Sequence, residues 1–283
     1  MLVRRSIVMA TTLLLVTTRS LPAVDRTPLR TLGDGLFAVP VEIAGAPLHM
    51  LLDTGANRSL IWAPVAEQLH LTPRARFPLQ TPNGAVDAVC AGPIAVRVGG
   101  VSLAIDCLGW SSELEVTALG ERVSGVLGAD ALASLPVLLD LGRGRLVLGT
   151  EALAVVGFEV PLTLVEGRPA ISLAAPSAAG EARRLRLVLD SGANDLVLFG
   201  SAAASARTGG STRMATLTGS RQVETAEAPR LGGLNRSPRR AVLLPDVADR
   251  DEDGLLPLSA AGPVAFDWSR GVAILGARVP RGK

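Results

Sequence analysis

One eight-residue pattern occurs twice in this chain. Met50-Leu51-Leu52-Asp53-Thr54-Gly55-Ala56-Asn57 returns 137 residues later as Leu187-Val188-Leu189-Asp190-Ser191-Gly192-Ala193-Asn194. Each copy is an apolar run that enters Asp-Thr/Ser-Gly-Ala-Asn. The same offset carries Leu48 onto Leu185 and Leu60 onto Val197. Further on, Val137-Leu138-Leu139-Asp140-Leu141-Gly142-Arg143-Gly144 resembles Val264-Ala265-Phe266-Asp267-Trp268-Ser269-Arg270-Gly271, now at an offset of 127 residues. The trailing apolar runs Leu146-Val147-Leu148-Gly149 and Ala273-Ile274-Leu275-Gly276 keep that second offset. A repeat this long with only two units points to a duplicated lobe, not to a solenoid.

The duplication supplies two carboxylates, and a symmetric fold brings them face to face. Two facing carboxyls do not both ionise easily, so one keeps a proton while the other is charged. That state offers a general base for water and a general acid for a leaving amine, the chemistry of peptide-bond hydrolysis. Other chemistries have little to work with. His49 and His70 are the only histidines. His49 falls in the strand leading to Asp53, where the second copy has Arg186, so it reads as a strand residue, and a Ser-His-Asp mechanism has no convincing histidine. Cys…His metal spacing is absent, so neither a metal nor an organic cofactor is expected. Asp140 and Asp267 also recur, but each precedes a hairpin turn and reads as structural.

Composition fits many short strands. Hydrophobic residues make up 48% of the chain but aromatics only 3%, so the core must be built mostly from Leu, Val and Ala. Thirty glycines and 19 prolines supply turns. The formal net charge is +2, with no basic stripe interleaved with aromatics, which argues against nucleic-acid binding. Residues 1–23 read as a secretory signal: Arg4 and Arg5 form a basic start, Ile7 to Val16 an apolar stretch, and Thr18 and Ser20 small residues near a cut. The stretch is short for a bilayer span, and no other segment is long enough, so no span is expected after signal removal. The chain then divides into an N-terminal lobe at 24–150 and a C-terminal lobe at 151–283. Export, to the periplasm or outside the cell, would permit a disulfide between Cys90 and Cys107, the only cysteines; two buried free thiols are the alternative.

Along the first lobe, Gly35 to Ile43 and Pro47 to Leu52 read as strands, and Ser59 to Trp62 as the strand leaving the Asp53 loop. Pro64 to Leu69 reads as a short helix. Asn83-Gly84 marks a two-residue hairpin within Phe77 to Cys90. Gly99-Gly100 marks another, between Pro93 and Leu108. Gly125-Val126-Leu127-Gly128 reads as a buried strand, and Asp130 as the N-cap of a short helix. The second lobe repeats the order. Pro161 to Leu173 and Leu185 to Leu189 lead to Asp190, Met214 to Glu224 forms a hairpin with Gly219-Ser220 at its tip, and Gly254-Leu255-Leu256 stands for the supporting strand.

These motifs resemble the aspartic proteases, in particular the retropepsin-like clan, in a single-chain form with two similar β-barrel-like lobes. The resemblance implies an all-β bilobal fold with the active site between the lobes. It implies an aspartic endopeptidase acting on polypeptides, with Asp53 and Asp190 holding the nucleophilic water. Thr54 and Ser191 would cross-brace the loops, and Gly55 and Gly192 would let the backbone turn and aim amides at the carboxylates. Val126-Leu127-Gly128 would support the first loop. The hairpin around Asn83 and Gly84 would be a flap, with a second flap around Gly219. Both aspartates come from one chain, so a monomer is expected. Three departures stand out: Pro257 replaces Gly128, Asn57 and Asn194 stand where the viral pattern has aspartate, and the chain has no flap tyrosine. Ala56 and Ala193 also lack the hydroxyl that the pepsin pattern places beside each carboxylate. A duplicated fold that binds peptides without cutting them is the alternative.

Overall fold

In a computed structural model the described residues are 26–33, 35–81, 84–114, 123–176, 182–204, 208–216, 219–234, 238–245 and 250–279. The signal-like segment 1–23 and Asn83 lie outside them. The described chain is all-β and bilobal, in three sheets. A ten-stranded sheet belongs to the first lobe and an eight-stranded sheet to the second. A six-stranded sheet joins them, in the order Arg26–Pro28, Arg145–Leu148, Val137–Asp140, Val264–Asp267, Val272–Arg278, Val156–Pro161. Its two middle strands come from different lobes and pair antiparallel, Val137 with Phe266 and Leu139 with Val264. These are the two apolar segments that recur at the second offset, so the repeat builds the lobe junction as well as the site. Phe266, Leu139 and Val264 are fully buried there.

Each lobe repeats one knot of three strands around its aspartate. In the first, Ala46–Leu52 runs into the Asp53 loop and Leu60–Ile61 runs out. Gly125–Leu127 lies between them, parallel to the first and antiparallel to the second. In the second, Gly254–Pro257 lies in the same way between Ala182–Asp190 and Leu196–Phe199. The inserted strand passes so close to the outgoing one that only glycine fits. A Cβ at Gly125 would sit 2.1 Å from the Leu60 carbonyl oxygen, and one at Gly254 would sit 2.0 Å from that of Val197. The apolar residues entering each loop, Met50 to Leu52 and Leu187 to Leu189, are buried on both faces, which is why they read as continuous runs and not as alternation.

Local differences from the sequence expectation have simple causes. The helix after Trp62 is Ala63–Gln68, with Pro64 in its first turn, where a missing N–H costs nothing. Asp130 is not the N-cap. Gly128 holds that place, and the Asp130 side chain turns instead to Ser59. The run Pro161 to Leu173 is broken at Glu166-Gly167, where both residues have positive φ and reverse the chain between Thr163–Val165 and Arg168–Pro176. In the flap-like hairpins, Thr81 pairs with Gly84 and Thr216 with Gly219. Each glycine therefore opens the returning strand, so Gly219 does not form the tip of its hairpin.

The first hairpin is stapled at its base. Cys90 and Cys107 are bonded, with their Cα atoms 5.3 Å apart, joining the strand Gly84–Ala91 to the segment before Leu108–Trp110. Closing this short loop constrains the unfolded chain and contributes about 3 kcal/mol on the loop-entropy scale. Replacing both cysteines with alanine is expected to lower the unfolding free energy by that order, read from denaturant titrations. Unchanged stability would show that hairpin pairing alone fixes this region.

Candidate active site

The two Asp loops meet at the lobe junction and hold each other by reciprocal hydrogen bonds. The Thr54 N–H donates to the Ser191 hydroxyl at 3.0 Å, and the Ser191 N–H donates to the Thr54 hydroxyl at 3.0 Å. Each hydroxyl then donates across the junction to the carbonyl before the opposite aspartate: Thr54 to Leu189 at 2.7 Å, Ser191 to Leu52 at 2.8 Å. All four bonds are buried, so breaking one leaves an unpaired polar group in the interior. A hydroxyl is needed at both positions because each must accept one bond and donate another; threonine and serine supply it equally.

This brace sets the carboxyls of Asp53 and Asp190 beside each other, each against the other loop's glycine. The glycines complete the fit, for a reason the sequence did not expose. Neither Gly55 nor Gly192 is in the left-handed region; what each lacks is the side chain. A Cβ on Gly55 would fall 2.4 Å from the Asp190 Cγ, and one on Gly192 would fall 2.5 Å from the Asp53 Cγ. Each lobe's glycine is thus the seat of the other lobe's carboxyl. Backbone amides also point at the carboxyls. Asp53 Oδ1 accepts from Gly55 N at 2.9 Å and from Ala56 N at 3.1 Å, while Asp190 Oδ1 accepts from Gly192 N at 2.7 Å.

Burial raises both carboxyls above the ordinary value, and the hydrogen bonds to Asp53 partly offset this. Asp190 is pushed well above it, first by burial and then by the negative charge of Asp53. The pair therefore carries one proton over a range extending above ordinary carboxylate titration. Asp53, with two amide donors on one oxygen, is the better-supported anion, and Asp190 is the better proton holder.

The loops differ in how they are propped from below. In the first lobe, Gly128 N donates to the Ser59 hydroxyl at 3.0 Å. Ser59 in turn donates from N and Oγ to Asp130 at 3.0 and 2.7 Å. Burial raises Asp130, and the Ser59 hydroxyl partly offsets it. In the second lobe, Pro257 has no N–H to donate, and Leu196 stands where Ser59 stands. Donor and acceptor were lost together, so no buried group is orphaned. The replacement of Ser59 by Leu196 at the repeat offset is the sequence signal that could have revealed this polar prop. The flap-like hairpins also match more closely than their sequences suggest. The Thr81 hydroxyl donates to the Gly84 carbonyl at 2.7 Å, and the Thr216 hydroxyl donates to that of Gly219 at 3.0 Å. A Thr-x-x-Gly pattern at 81–84 and 216–219 is its signature.

The remaining marked residues are structural or peripheral. Asp140 is buried and accepts from Arg143 N at 3.2 Å, and Asp267 does the same for Arg270 N at 3.1 Å, each closing its turn. The Ser269 hydroxyl holds the Asp267 carboxyl below its ordinary value. His49 is exposed on its strand. No cluster of metal-ligating side chains occurs among the described residues.

Two outcomes test this geometry. Gly55→Ala drives a methyl group into the Asp190 carboxyl; displacing a reacting group by about 1 Å costs roughly a hundredfold in rate, so kcat should fall by at least that order while circular dichroism shows the fold retained. Asp190→Asn tests the electrostatics. A raised carboxyl favours the folded state below its ordinary pKa of 3.8, and that contribution is lost as pH rises through the elevated value. The variant avoids this loss, so its melting temperature should exceed the parent's at neutral pH, with the gap closing towards about pH 4. A gap independent of pH would show that the carboxyl does not titrate in this way.

No curated protein matches the chain. The matching family model is described as aspartyl protease, and it covers residues 39–131. That segment holds the Asp53 loop, the first hairpin and the strand that supports the loop, the whole of the first half-site.

Proposed function

We propose that this protein is an aspartic endopeptidase that hydrolyses peptide bonds with a water activated between Asp53 and Asp190. The observation that carries the proposal is the pair of apposed carboxyls, one from each lobe, Asp190 buried and Asp53 half-buried, fixed by the Thr54–Ser191 brace. The family match of the first half-site supports the same reading. The Asp53 carboxylate takes a proton from water as the water oxygen bonds to the peptide carbonyl carbon. The Asp190 proton stabilises the oxygen on which charge develops. The intermediate collapses when the amide nitrogen receives a proton from the pair and the C–N bond breaks. The carboxylates then hold one proton between them again. The hairpins Ala75–Ala91 and Thr208–Glu227 would close over an extended peptide from both lobes. Both carboxyls come from one chain, so a monomer suffices. The segment 1–23 would direct the chain to the periplasm or the exterior.

Acid and base roles shared by a pair cannot be performed by one member. Asp53→Asn and Asp190→Asn should therefore each remove nearly all cleavage of an unstructured protein substrate, measured by mass spectrometry of the products. Full activity in Asp190→Asn would overturn the two-lobe site. Pepstatin affinity without cleavage in the parent protein would mark a peptide-binding protein instead. The pH profile follows from the raised pair. Ala56 and Ala193 offer no side-chain donor to the charged form, and burial favours the protonated one, so kcat/KM should peak in mild acid, about pH 4–6, and not in the gastric range.

A further inference from the structure

The two walls beside the carboxyl pair occupy equivalent positions but differ in chemistry. Alternation along a strand puts Leu51 on the same face as Asp53, and Val188 on the same face as Asp190. Across from these strands, Leu36 and Arg168 hold matching places. Each opens its strand after a tight turn, Leu36 paired with Gly33 and Arg168 with Val165. Two residues on, Ala38 pairs with Leu51 and Ala170 with Val188. A second equivalence follows from backbone bonds. Ser124 N donates to the His49 carbonyl and Asp253 N to that of Arg186, at 2.6 and 2.8 Å, so Val123 matches Glu252. Trp62 and Phe199 match in the same way. The first wall is thus Leu36, Trp62 and Val123, one apolar cluster. The second is Arg168, Phe199 and Glu252.

The ionic wall is not balanced internally. Glu252 Oε1 accepts from Arg168 Nη2 at 3.1 Å and from Arg250 Nη1 at 3.0 Å. The Glu252 side chain is 1% exposed, that of Arg168 10%, and that of Arg250 25%. Glu166 also pairs with Arg168, but it is 63% exposed and screened by water. The sheltered group is therefore two cations on one anion. Arg250 stacks over Phe199 at 4.2 Å, and its Nε is buried with no hydrogen-bond partner. The excess guanidinium charge is partly sheltered from water, and a carboxylate meeting the accessible edge of the Arg250 head offsets it best.

We infer that the second-lobe wall takes an acidic side chain of the bound peptide, while the first-lobe wall takes an apolar one. The substrate class is then a polypeptide with aspartate or glutamate on one side of the scissile bond and an aliphatic or aromatic residue on the other. The positive charge of Arg168 also lowers both carboxyls of the pair, which places it within electrostatic reach of the reacting groups. This inference rests on the proteolytic reading of the same site, and its test separates the two.

Two non-cleavable peptide isosteres are compared by calorimetry at about pH 6, where a glutamate side chain is ionised. One carries leucine on both sides of the replaced bond, the other glutamate on one side. The protein should bind the glutamate compound roughly tenfold or more tightly, as a charge-assisted hydrogen bond warrants. The variant R168L/E252V copies the first wall into the second and should reverse that preference. Should it fail to fold, Arg250→Met, which removes one of the two cations beside Glu252, should reduce the preference severalfold. Equal affinities in the parent, or a preference unchanged in the variants, would overturn the inference. Cleavage of peptides is scored in parallel. Glutamate preference without cleavage would sink the protease reading and leave the acidic wall standing; cleavage without acidic preference would do the reverse. Failure to bind either isostere would remove both.

Discussion

Two like charges forced together repel, and this fold is arranged around preventing that repulsion from separating its halves. The reciprocal hydroxyl brace between Thr54 and Ser191 holds the loops from beneath, and the shared proton holds the carboxyls from above. The brace works because each hydroxyl both accepts and donates across the junction. Neither lobe can complete its own hydrogen bonds without the other. The half-sites are therefore satisfied only as a pair, which couples the geometry of Asp53 to that of Asp190 more tightly than the length of chain between them suggests.

The junction sheet extends the same logic. Val137–Asp140 and Val264–Asp267 pair directly, so the two lobes share a backbone ladder and a core that includes Phe266. Parting the lobes would expose main-chain groups as well as side chains. The knots above that sheet are stiff for a different reason. At Gly125 and Gly254 the inserted strand touches its neighbour's carbonyl, so no side chain can be accommodated and little sliding is available.

Much of this was legible in the sequence because it repeats. The apolar approach to each aspartate, the paired hydroxyls and the junction strands all recur at fixed offsets, and the all-β bilobal fold follows from them. What the repeat hid were features in which one copy departs from the other. The polar prop of Ser59 and Asp130 has no echo in the second lobe. The equivalence of Arg168 with Leu36 emerges only from the strand pairing of each lobe. The need for Gly55 and Gly192 is also invisible locally, since the atoms that exclude a side chain there belong to the aspartate of the opposite lobe. Asp130 reads as a cap because a helix-start signal is local, whereas its partner Ser59 is brought to it by tertiary folding.

Two strands that hold equivalent places in the lobes are fastened by unlike means at one equivalent point. Leu108–Trp110 and Arg240–Leu244 occupy matching places, each parallel to the strand that leaves its Asp loop and antiparallel to its hairpin. In this register Cys107 corresponds to Arg240. Cys107 is tied covalently to its hairpin through Cys90, whereas Arg240 is tied by charge to Asp195, beside the Asp190 loop. A covalent bond answers to electron donors and ignores salt. An exposed ion pair answers to ionic strength and ignores reductant. The surroundings can thus act on one lobe without acting on the other, and a molecule built by copying one half has acquired two independent handles.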